Sequence, residues 1–317
     1  MFAILCPGQG AQSPGFLAPW LELPGVAEQL AALSEVAGVD LAAHGTSSDA
    51  ETIKDTAIAQ PLIVAAGLIA GRALLGDQLL SSANPHALAA GHSVGEITAS
   101  ALTGLLNETA AMTFVRERAN GMAKAAAVTP TGMSAVLGGD PVEVLAAIAA
   151  AGLTPANVNG AGQTVAAGTL EQLAAFAENP PAKARVIPLK VAGAFHTEHM
   201  ASAVTALESL KPTLNPSDPA VTLLSNYDGA EVSSGAAGLE SLIAQVSRPV
   251  RWDLCMETML SRGVSAVIEL APAGTLVGLA KRAMPGVSSV AVKTPADLEA
   301  ARELIASAAS AAPAEGK

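Results

Sequence analysis

Short apolar runs alternate along the chain with segments whose apolar residues have helical spacing. Residues 1–6 and 87–90 are apolar runs of strand length. Between them, residues 25–36 have the apolar spacing of an amphipathic helix, and residues 57–75 predict a longer and more apolar one. Strands that alternate with helices form largely parallel sheets covered on both faces. The pattern therefore predicts an α/β fold with a mostly parallel sheet.

A block in the middle of the chain departs from this alternation. Its predicted order is β-α-β-β-α-β, which is the ferredoxin-like arrangement, with Pro130 and Gly193 near its ends. The predicted strands are 133–137, 153–158, 164–167 and 185–191, and the predicted helices are 140–151 and 170–178. We therefore expect a main domain of residues 1–129 and 193–317 that carries a ferredoxin-like subdomain of residues 130–192.

The alternation resumes after this block. The predicted helices are 196–210, a segment from 238, 250–262, 274–283 and 296–309, and the predicted strands are 221–225, 266–270 and 289–292. Before the block, Asn107 is a good N-cap for a helix that extends to about Ala126. Residues 81–85 are expected to form a surface loop, and the residues after Ser310 a frayed tail.

Composition and charge exclude several classes of protein. The net charge of −11 argues against nucleic acid as a partner, because phosphates require a basic surface. The longest apolar run, from Leu62, stops at Arg72, short of the roughly 18 residues that cross a bilayer, and the N-terminus lacks a basic signal segment. The 2 cysteines lie far apart in apolar segments, which is typical of buried thiols. We therefore expect a cytoplasmic protein without a membrane segment or a metal site.

The segment Gly91-His92-Ser93-Val94-Gly95-Glu96 follows an apolar run and precedes a helix-prone one. This is the G-x-S-x-G pattern of a nucleophile elbow, a tight turn that presents a serine hydroxyl above a sheet. Glycine is needed on both sides of such a turn because the flanking backbones come too close for side chains. On this motif alone, an ordinary glycine-rich turn with an incidental serine stays open.

The loop Pro7-Gly8-Gln9-Gly10-Ala11-Gln12 directly follows the first predicted strand. Glycines past a strand let backbone N–H groups point into a site, which is how an oxyanion hole or an anion nest is built. A plain strand-to-helix connection is the simpler explanation of this loop taken by itself.

A serine nucleophile needs a base, and histidine is the usual one at neutral pH. His44 and His86 lie in polar segments predicted to be solvated loops, and His92 is expected to project away from the neighbouring serine. His196 and His199 lie at a strand-to-helix junction, where α/β sheets place their sites. We prefer His196 because the apolar residues before it predict an enclosed position. No acidic residue stands out to orient the imidazole, so a backbone carbonyl is an equal candidate.

Arg118 lies on the apolar face of the helix that follows Asn107, in one stripe with Phe114 and Met122. A guanidinium on an apolar face must be paired, because an isolated buried charge is too costly. Its partner is either a carboxylate of the protein or a substrate carboxylate held by the planar guanidinium. The sequence favours neither alternative over the other.

In their order and spacing these motifs resemble the malonyl-CoA:acyl-carrier-protein transacylases of bacterial fatty acid synthesis and the related acyltransferase domains of polyketide synthases. The resemblance extends from residue 1 to about residue 283. It implies an α/β-hydrolase-like core with a ferredoxin-like subdomain. The motifs that carry it are Pro7–Gly10, Gly91–Glu96, Arg118 with Met122, Asn157–Gly160, Ala194–Thr197 and Glu269–Gly274.

Applied residue by residue, the resemblance implies a role for each position of the site. It makes Ser93 the nucleophile, His196 the general base, and the main-chain carbonyl of Gln245 the group that orients the histidine. The backbone N–H groups of Gln9 and Val94 correspond to the oxyanion hole. The implied substrate-binding residues are Arg118, which clamps the malonyl carboxylate, Phe195, which crowds carbon 2 of the malonyl group, and Met122, Asn159 and Gln60. Arg251, beside Trp252, departs from members of the family that carry glutamine there.

The implied reaction is a ping-pong transfer of malonyl from malonyl-CoA, through a malonyl-serine ester, to the phosphopantetheine thiol of holo acyl carrier protein. No resident cofactor is implied, and nothing in the sequence demands more than a monomer. The alternatives are a serine thioesterase on the same dyad, which has no need of Arg118, and a non-catalytic carrier-binding module. The carrier belongs to fatty acid synthesis, polyketide synthesis or both. Carriers are acidic, so docking needs a local basic surface, for which the candidates are Arg72, Lys183, Arg185 and Lys190.

Overall fold

The computed structural model describes residues 1–76, Leu80 and residues 86–310. The predictions for residues 81–85 and for the tail after Ser310 lie outside the described residues. The strands are β1 (Phe2–Cys6), β2 (Ala87–Gly91), β3 (Thr131–Gly138), β4 (Thr154–Gly160), β5 (Gln163–Thr169), β6 (Ala184–Pro188), β7 (Thr222–Leu224), β8 (Val250–Arg251), β9 (Ala266–Glu269) and β10 (Ser288–Ala291). The α-helices are α1 (Val26–Ala37), α2 (Leu41–Thr46), α3 (Thr56–Leu75), α4 (Gly95–Leu102), α5 (Glu108–Ala126), α6 (Pro141–Ala150), α7 (Leu170–Glu178), α8 (Ala201–Leu210), α9 (Gly235–Ala244), α10 (Trp252–Ser261), α11 (Thr275–Ala283) and α12 (Leu298–Ser310).

The first sheet is parallel and has the strand order β10-β9-β1-β2-β7. Helices cover both of its faces, and β1 shows this because its side chains alternate between two cores. Ile4 packs in the core that contains residues of α3, α4 and α5, whereas Leu5 packs in the core formed with α10 and α11. The prediction of an α/β fold with a mostly parallel sheet is therefore confirmed.

Helix α3 is the central helix of the larger core. Asp55 caps its first turn by accepting a hydrogen bond from the N–H of Ala57. Among the described residues it is the one helix long and apolar enough to cross a membrane, with a mean hydropathy of 1.8 over 18 residues. Of those 18 residues 78% are buried inside the protein. The apolar surface of α3 is therefore covered by the rest of the chain.

The second sheet is mixed and has the strand order β6-β3-β5-β4-β8. Strand β3 pairs antiparallel with β5 and β6, and β4 pairs antiparallel with β5. Helices α6 and α7 pack on this sheet around a small core of their own that includes Val136, Ile148 and Phe176. The last strand, β8, comes from a distant part of the chain and pairs parallel with β4. It satisfies backbone groups of β4 that a sheet made by the central block alone would leave unpaired.

Several local predictions were wrong in detail. The helix predicted from Val250 begins at Trp252, because residues 250 and 251 pair with β4 instead. The helix predicted from His196 begins at Ala201, because His196 has a left-handed backbone with φ of 61°. The strand predicted to reach residue 191 ends at Pro188. His44 lies on α2 and contacts the Ser48 hydroxyl at 2.9 Å, so it is not in a loop.

Candidate active site

The turn between β2 and α4 holds Ser93 in a left-handed conformation with φ of 54°. A non-glycine residue in this region is rare, and the strain is typical of functional turns. The backbones around the turn are very close. A Cβ added to Gly91 would lie 2.1 Å from the carbonyl oxygen of Gly95, and one added to Gly95 would lie 2.1 Å from that of Cys6. Both glycines are therefore required sterically, and the turn holds Ser93 at the carboxyl end of the parallel sheet.

Ser93 and His196 form a hydrogen-bonded pair. The Oγ atom of Ser93 lies 2.7 Å from Nε2 of His196, and Nδ1 of His196 lies 2.8 Å from the main-chain oxygen of Gln245. Because that carbonyl can only accept, it assigns the proton to Nδ1 and leaves Nε2 free to accept from the serine hydroxyl. Burial, reinforced by the charge of Arg118, lowers the pKa of His196 to about 3. The imidazole is therefore neutral at pH 7, as a general base must be.

Arg118 is 1% exposed and contacts the same serine. Its Nη1 donates to Oε1 of Gln60 at 2.7 Å, and its Nη2 donates to Oε1 of Gln245 at 2.9 Å and to Oγ of Ser93 at 3.3 Å. Its Nε–H is buried without a partner among the described residues. Burial lowers the pKa of Arg118 to about 10, so the side chain stays charged at neutral pH. The guanidinium thus contacts neutral oxygens in the described protein, with no carboxylate in direct contact.

Gln9 and Val94 both line the cavity in front of Ser93, and their backbone N–H groups are the predicted oxyanion hole. Neither group donates a hydrogen bond to another part of the protein within the ranges that the structure describes. The loop that carries Gln9 is held by the side chain of that residue, which donates to the carbonyl of Lys54 at 3.3 Å. Two unpaired N–H groups on either side of a nucleophile are the arrangement that stabilises an oxyanion.

A cavity of about 280 Å³ opens in front of Ser93, between the two sheets. Most of the residues predicted for the site line this cavity, whereas Arg118 and Gln245 lie behind the lining and contact it through hydrogen bonds. The predicted residues in the lining are Gln9, Gln60, Ser93, Val94, Met122, Asn159, Phe195 and His196. Residues from distant parts of the chain therefore converge on one cavity in front of Ser93.

Asn226 is a site residue that the sequence did not reveal. It is fully buried, its Oδ1 accepts from the N–H of Ser93 at 2.7 Å, and its Nδ2 donates to the carbonyl of Gly91. It thereby bridges both sides of the strained turn. Its position just after β7, at the carboxyl end of a strand beside β2, is the signal that could have found it.

His92 and Glu96 also have contacts that the sequence left unassigned. His92 projects away from Ser93, as expected, and its Nε2 lies 2.8 Å from Oδ1 of Asn159 on β4. It therefore links the elbow to the second sheet. Glu96 is 2% exposed and lies among Asn226, Gln245 and Arg118.

A hydrogen-bonded serine–histidine pair that faces a cavity, with unpaired backbone N–H groups beside it, is the machinery of a serine acyltransferase or hydrolase. The profile of the acyl transferase domain family matches residues 3–298 of this chain. The curated malonyl CoA-acyl carrier protein transacylase of Mycobacterium tuberculosis is 52% identical over 299 residues, which cover 94% of this chain and 98% of that protein. The chain belongs to the acyl transferase domain family and, within it, to the malonyl CoA-acyl carrier protein transacylases, which confirms the resemblance noted from the motifs.

Solved structures agree with this assignment. The crystal structure of the transacylase from Mycobacterium tuberculosis matches with a TM-score of 0.89 at 50% identity, covering 95% of this chain and 99% of that chain. A type II polyketide-synthase acyl carrier protein in complex with its malonyl-transacylase matches with a TM-score of 0.88 at 29% identity. That match covers 95% of this chain and 99% of the chain compared.

Proposed function

We propose that this chain transfers malonyl from malonyl-CoA to the phosphopantetheine thiol of holo acyl carrier protein, through an ester on Ser93. The observation that carries the proposal is that a histidine and an arginine both contact the serine hydroxyl oxygen. Oγ of Ser93 lies 2.7 Å from Nε2 of His196 and 3.3 Å from Nη2 of Arg118. A nucleophile thus has both a base and a cation for the substrate carboxylate within reach.

The first half-reaction forms the malonyl-serine ester. His196 Nε2 takes the hydroxyl proton as Oγ of Ser93 attacks the thioester carbonyl, and the N–H groups of Gln9 and Val94 stabilise the oxyanion. When the carbon–sulfur bond breaks, the thiolate takes the proton from His196, and coenzyme A leaves as the thiol. In the second half-reaction the carrier thiol gives its proton to His196 and attacks the ester, and Oγ takes that proton back.

Selectivity for malonyl follows from Arg118. An acetyl group would leave the buried guanidinium without a carboxylate, and unpaired buried donors reject such analogues strongly. Phe195, which lines the cavity, crowds carbon 2 of the malonyl group. An added methyl group changes binding by only about 1–3 kcal/mol, so discrimination against methylmalonyl is expected to be leaky. Met122, Asn159 and Gln60 complete the pocket.

Transfer is favoured over hydrolysis on the same dyad. A thioesterase would release free malonate and would have no use for Arg118, and the relatives of this chain are named transacylases. A non-catalytic carrier-binding module would not need the serine–histidine pair. We propose the carrier of fatty acid synthesis as the acceptor. A carrier of polyketide synthesis is the second candidate, since one of the matching structures contains such a pair.

The intact mass of the protein after brief incubation with malonyl-CoA tests this function. A single malonyl adduct is expected, and it should move to holo acyl carrier protein when the carrier is added. Absence of both adduct and transfer would exclude the covalent mechanism. An adduct lost to water as fast as to the carrier would make the protein a thioesterase.

We also propose a division of the chain. The strand order β6-β3-β5-β4 with two helices on one face supports a ferredoxin-like subdomain of residues 130–192 within an α/β-hydrolase-like core of residues 1–129 and 193–317. Strand β8 then belongs to the core by sequence and to the second sheet by pairing. A cytoplasmic monomer without a resident cofactor, a metal, a nucleic-acid partner or a membrane segment stays a prediction.

Three of the four basic candidates for carrier docking belong to one strand, β6, or to the residues next to it. Lys183, Arg185 and Lys190 are exposed on or beside β6, and Leu189 and Val191, which flank Lys190, line the cavity. Arg72 is on the last turn of α3, about 18 Å along the helix from the cavity residue Gln60, and pairs with Glu108. We therefore assign docking to the β6 edge.

Charge reversal tests this assignment. Lys190→Glu is expected to raise the KM for holo carrier roughly tenfold at low ionic strength, because it repels an acidic partner. The rate of malonyl-serine formation should not change, since the carrier takes no part in that step. Arg72→Glu is the matched control and should leave both quantities as they are. Equal effects of the two substitutions on the carrier KM would contradict docking at β6.

A further inference from the structure

Glu96 lies behind the reacting groups and contacts the residues that hold them. Its Oε1 accepts from the N–H of Asn226 at 3.1 Å, and its Oε2 accepts from Nε2 of Gln245. It has no contact with the cavity, because only 2% of its surface is exposed and it is absent from the lining. A buried carboxylate is costly unless its oxygens are paired, and these two contacts pair both oxygens of Glu96.

Each partner of Glu96 holds a different group of the site. Asn226 accepts from the N–H of Ser93 at 2.7 Å. The main-chain oxygen of Gln245 lies 2.8 Å from Nδ1 of His196, and Oε1 of Gln245 accepts from Arg118 at 2.9 Å. The nucleophile, the base and the cation are thus each one residue away from the same carboxylate.

The chemistry of the partners explains why a carboxylate is needed. Arg118 can only donate hydrogen bonds and an ionised carboxylate can only accept them, so together they determine which way the Gln245 amide points. Its oxygen must face the guanidinium, and its Nε2 must face Glu96 and the carbonyl of Ser93, which lies 3.0 Å away. A glutamine at position 96 could accept from Asn226 or from Gln245 but not from both, and its own NH₂ would face a second donor.

We propose that Glu96 is a positioning residue that sets the geometry of Ser93, His196 and Arg118 through Asn226 and Gln245. This inference rests on the proposed function, because it is tested by the rate at which the malonyl-serine ester forms. Glu96 touches no substrate atom, and it acts by keeping the amide of Gln245 and the carbonyl behind His196 in one arrangement.

The test is Glu96→Gln, which preserves the volume of the side chain. Malonyl-serine formation is followed by rapid quenching and intact mass over a range of malonyl-CoA concentrations. The limiting rate is expected to fall about 100-fold, since small misplacements of reacting groups cost that much. Thermal unfolding and circular dichroism establish that the variant is folded. A limiting rate within about threefold of the original would overturn the proposal while leaving the transacylase function intact.

Glu269→Gln is the matched control for loss of a buried carboxylate. Glu269 is fully buried and accepts from the backbone N–H groups of Gly274, Leu276 and Val277 at the start of α11. Its substitution should lower the melting temperature and leave the limiting rate of ester formation within about threefold. If both amide variants slow ester formation equally, the effect of Glu96 is general destabilisation and the proposal is wrong.

A second measurement is the pH dependence of the same limiting rate. Burial raises the pKa of Glu96 to about 7, so the carboxylate is ionised above that pH and neutral below it. The limiting rate should therefore decline as the pH falls through about 7, and Glu96→Gln should lack that decline. The other titratable groups around Glu96 are His92, Arg118 on α5, His196, and Cys255 on α10. Burial leaves Arg118 with a pKa of about 10 and raises the pKa of the Cys255 thiol. It lowers the pKa of His196 to about 3 and that of His92 below its usual value, so the comparison with Glu96→Gln isolates the contribution of Glu96. A decline of the same size in Glu96→Gln would overturn the proposal. Failure of the original protein to form any malonyl-serine would instead contradict the proposed function.

Discussion

Ser93→Ala is expected to abolish the malonyl adduct and to lower transfer to the carrier by roughly 10⁴- to 10⁶-fold. Alanine has no hydroxyl for His196 to deprotonate, so the covalent intermediate cannot form. The N–H groups of Gln9 and Val94 and the substrate contacts would remain, and they account for whatever slow direct transfer is left. Alanine can adopt the backbone at this position only with the strain that serine already bears, so the fold should be retained.

His196→Ala provides the comparison for this loss. The serine and the histidine act as one unit, so either substitution alone should cost about as much as both together. In the original protein the pKa of His196 is lowered to about 3, which keeps the imidazole unprotonated across the neutral range. The measurements are intact mass and the rate of malonyl transfer for the single and double variants. A malonyl adduct that persists in Ser93→Ala, mapped by peptide mass to another residue, would show that the nucleophile lies elsewhere.

Arg118→Ala is expected to change the preferred acyl group. The kcat/KM for malonyl-CoA should fall by about 10³- to 10⁴-fold, because the malonyl carboxylate loses the guanidinium that pairs with it in a buried site. Acetyl transfer should be kept or increased, since acetyl-CoA no longer leaves a buried guanidinium without a carboxylate. Gln60 and Gln245, which now accept from Arg118 at 2.7 Å and 2.9 Å, would remain in place to fill part of the space.

Arg116→Ala on the same helix is the control for removal of an arginine. The Arg116 side chain is 36% exposed, contacts Glu117 and donates to the carbonyl of Val36 at 2.8 Å, away from the cavity. It should leave the ratio of malonyl to acetyl transfer unchanged. Arg118→Lys should recover little, because an ammonium has the charge but lacks the planar pair of donors. An unchanged preference in Arg118→Ala would show that the carboxylate binds elsewhere.

Local patterns in the sequence were enough to predict much of this molecule. Apolar runs predicted the buried parallel strands, because a strand covered on both faces has no polar side. Asn107 was predicted as an N-cap, and its side chain accepts from the N–H of Ala110 in the first turn of α5. The glycines around Ser93 predicted the tight turn, since their requirement is steric and local. The same spacing of motifs was sufficient to assign the family.

The contacts within the site depend on residues far apart in the sequence. Gln245 lies 152 positions after Ser93, and its carbonyl, its amide nitrogen and its amide oxygen each contact a different group. Asn226 likewise gains its role only because β7 lies beside β2. Strand β8 gains its role only because β4 has an edge that the central block leaves unpaired. The sequence also left open whether Arg118 pairs with a carboxylate of the protein or with one of the substrate. The tertiary structure puts amide oxygens and Ser93 around the guanidinium.

The sequence by itself therefore determined most of the strands, the Asn107 cap, the tight turn at Ser93 and the family, because these follow from neighbouring residues and their backbone preferences. The tertiary structure alone decided which groups surround the guanidinium, which carbonyl faces His196, and that a buried carboxylate at position 96 lies behind both. The physical reason is that hydrogen-bond partners and burial are properties of surfaces brought together by folding, and no spacing along the chain encodes them directly.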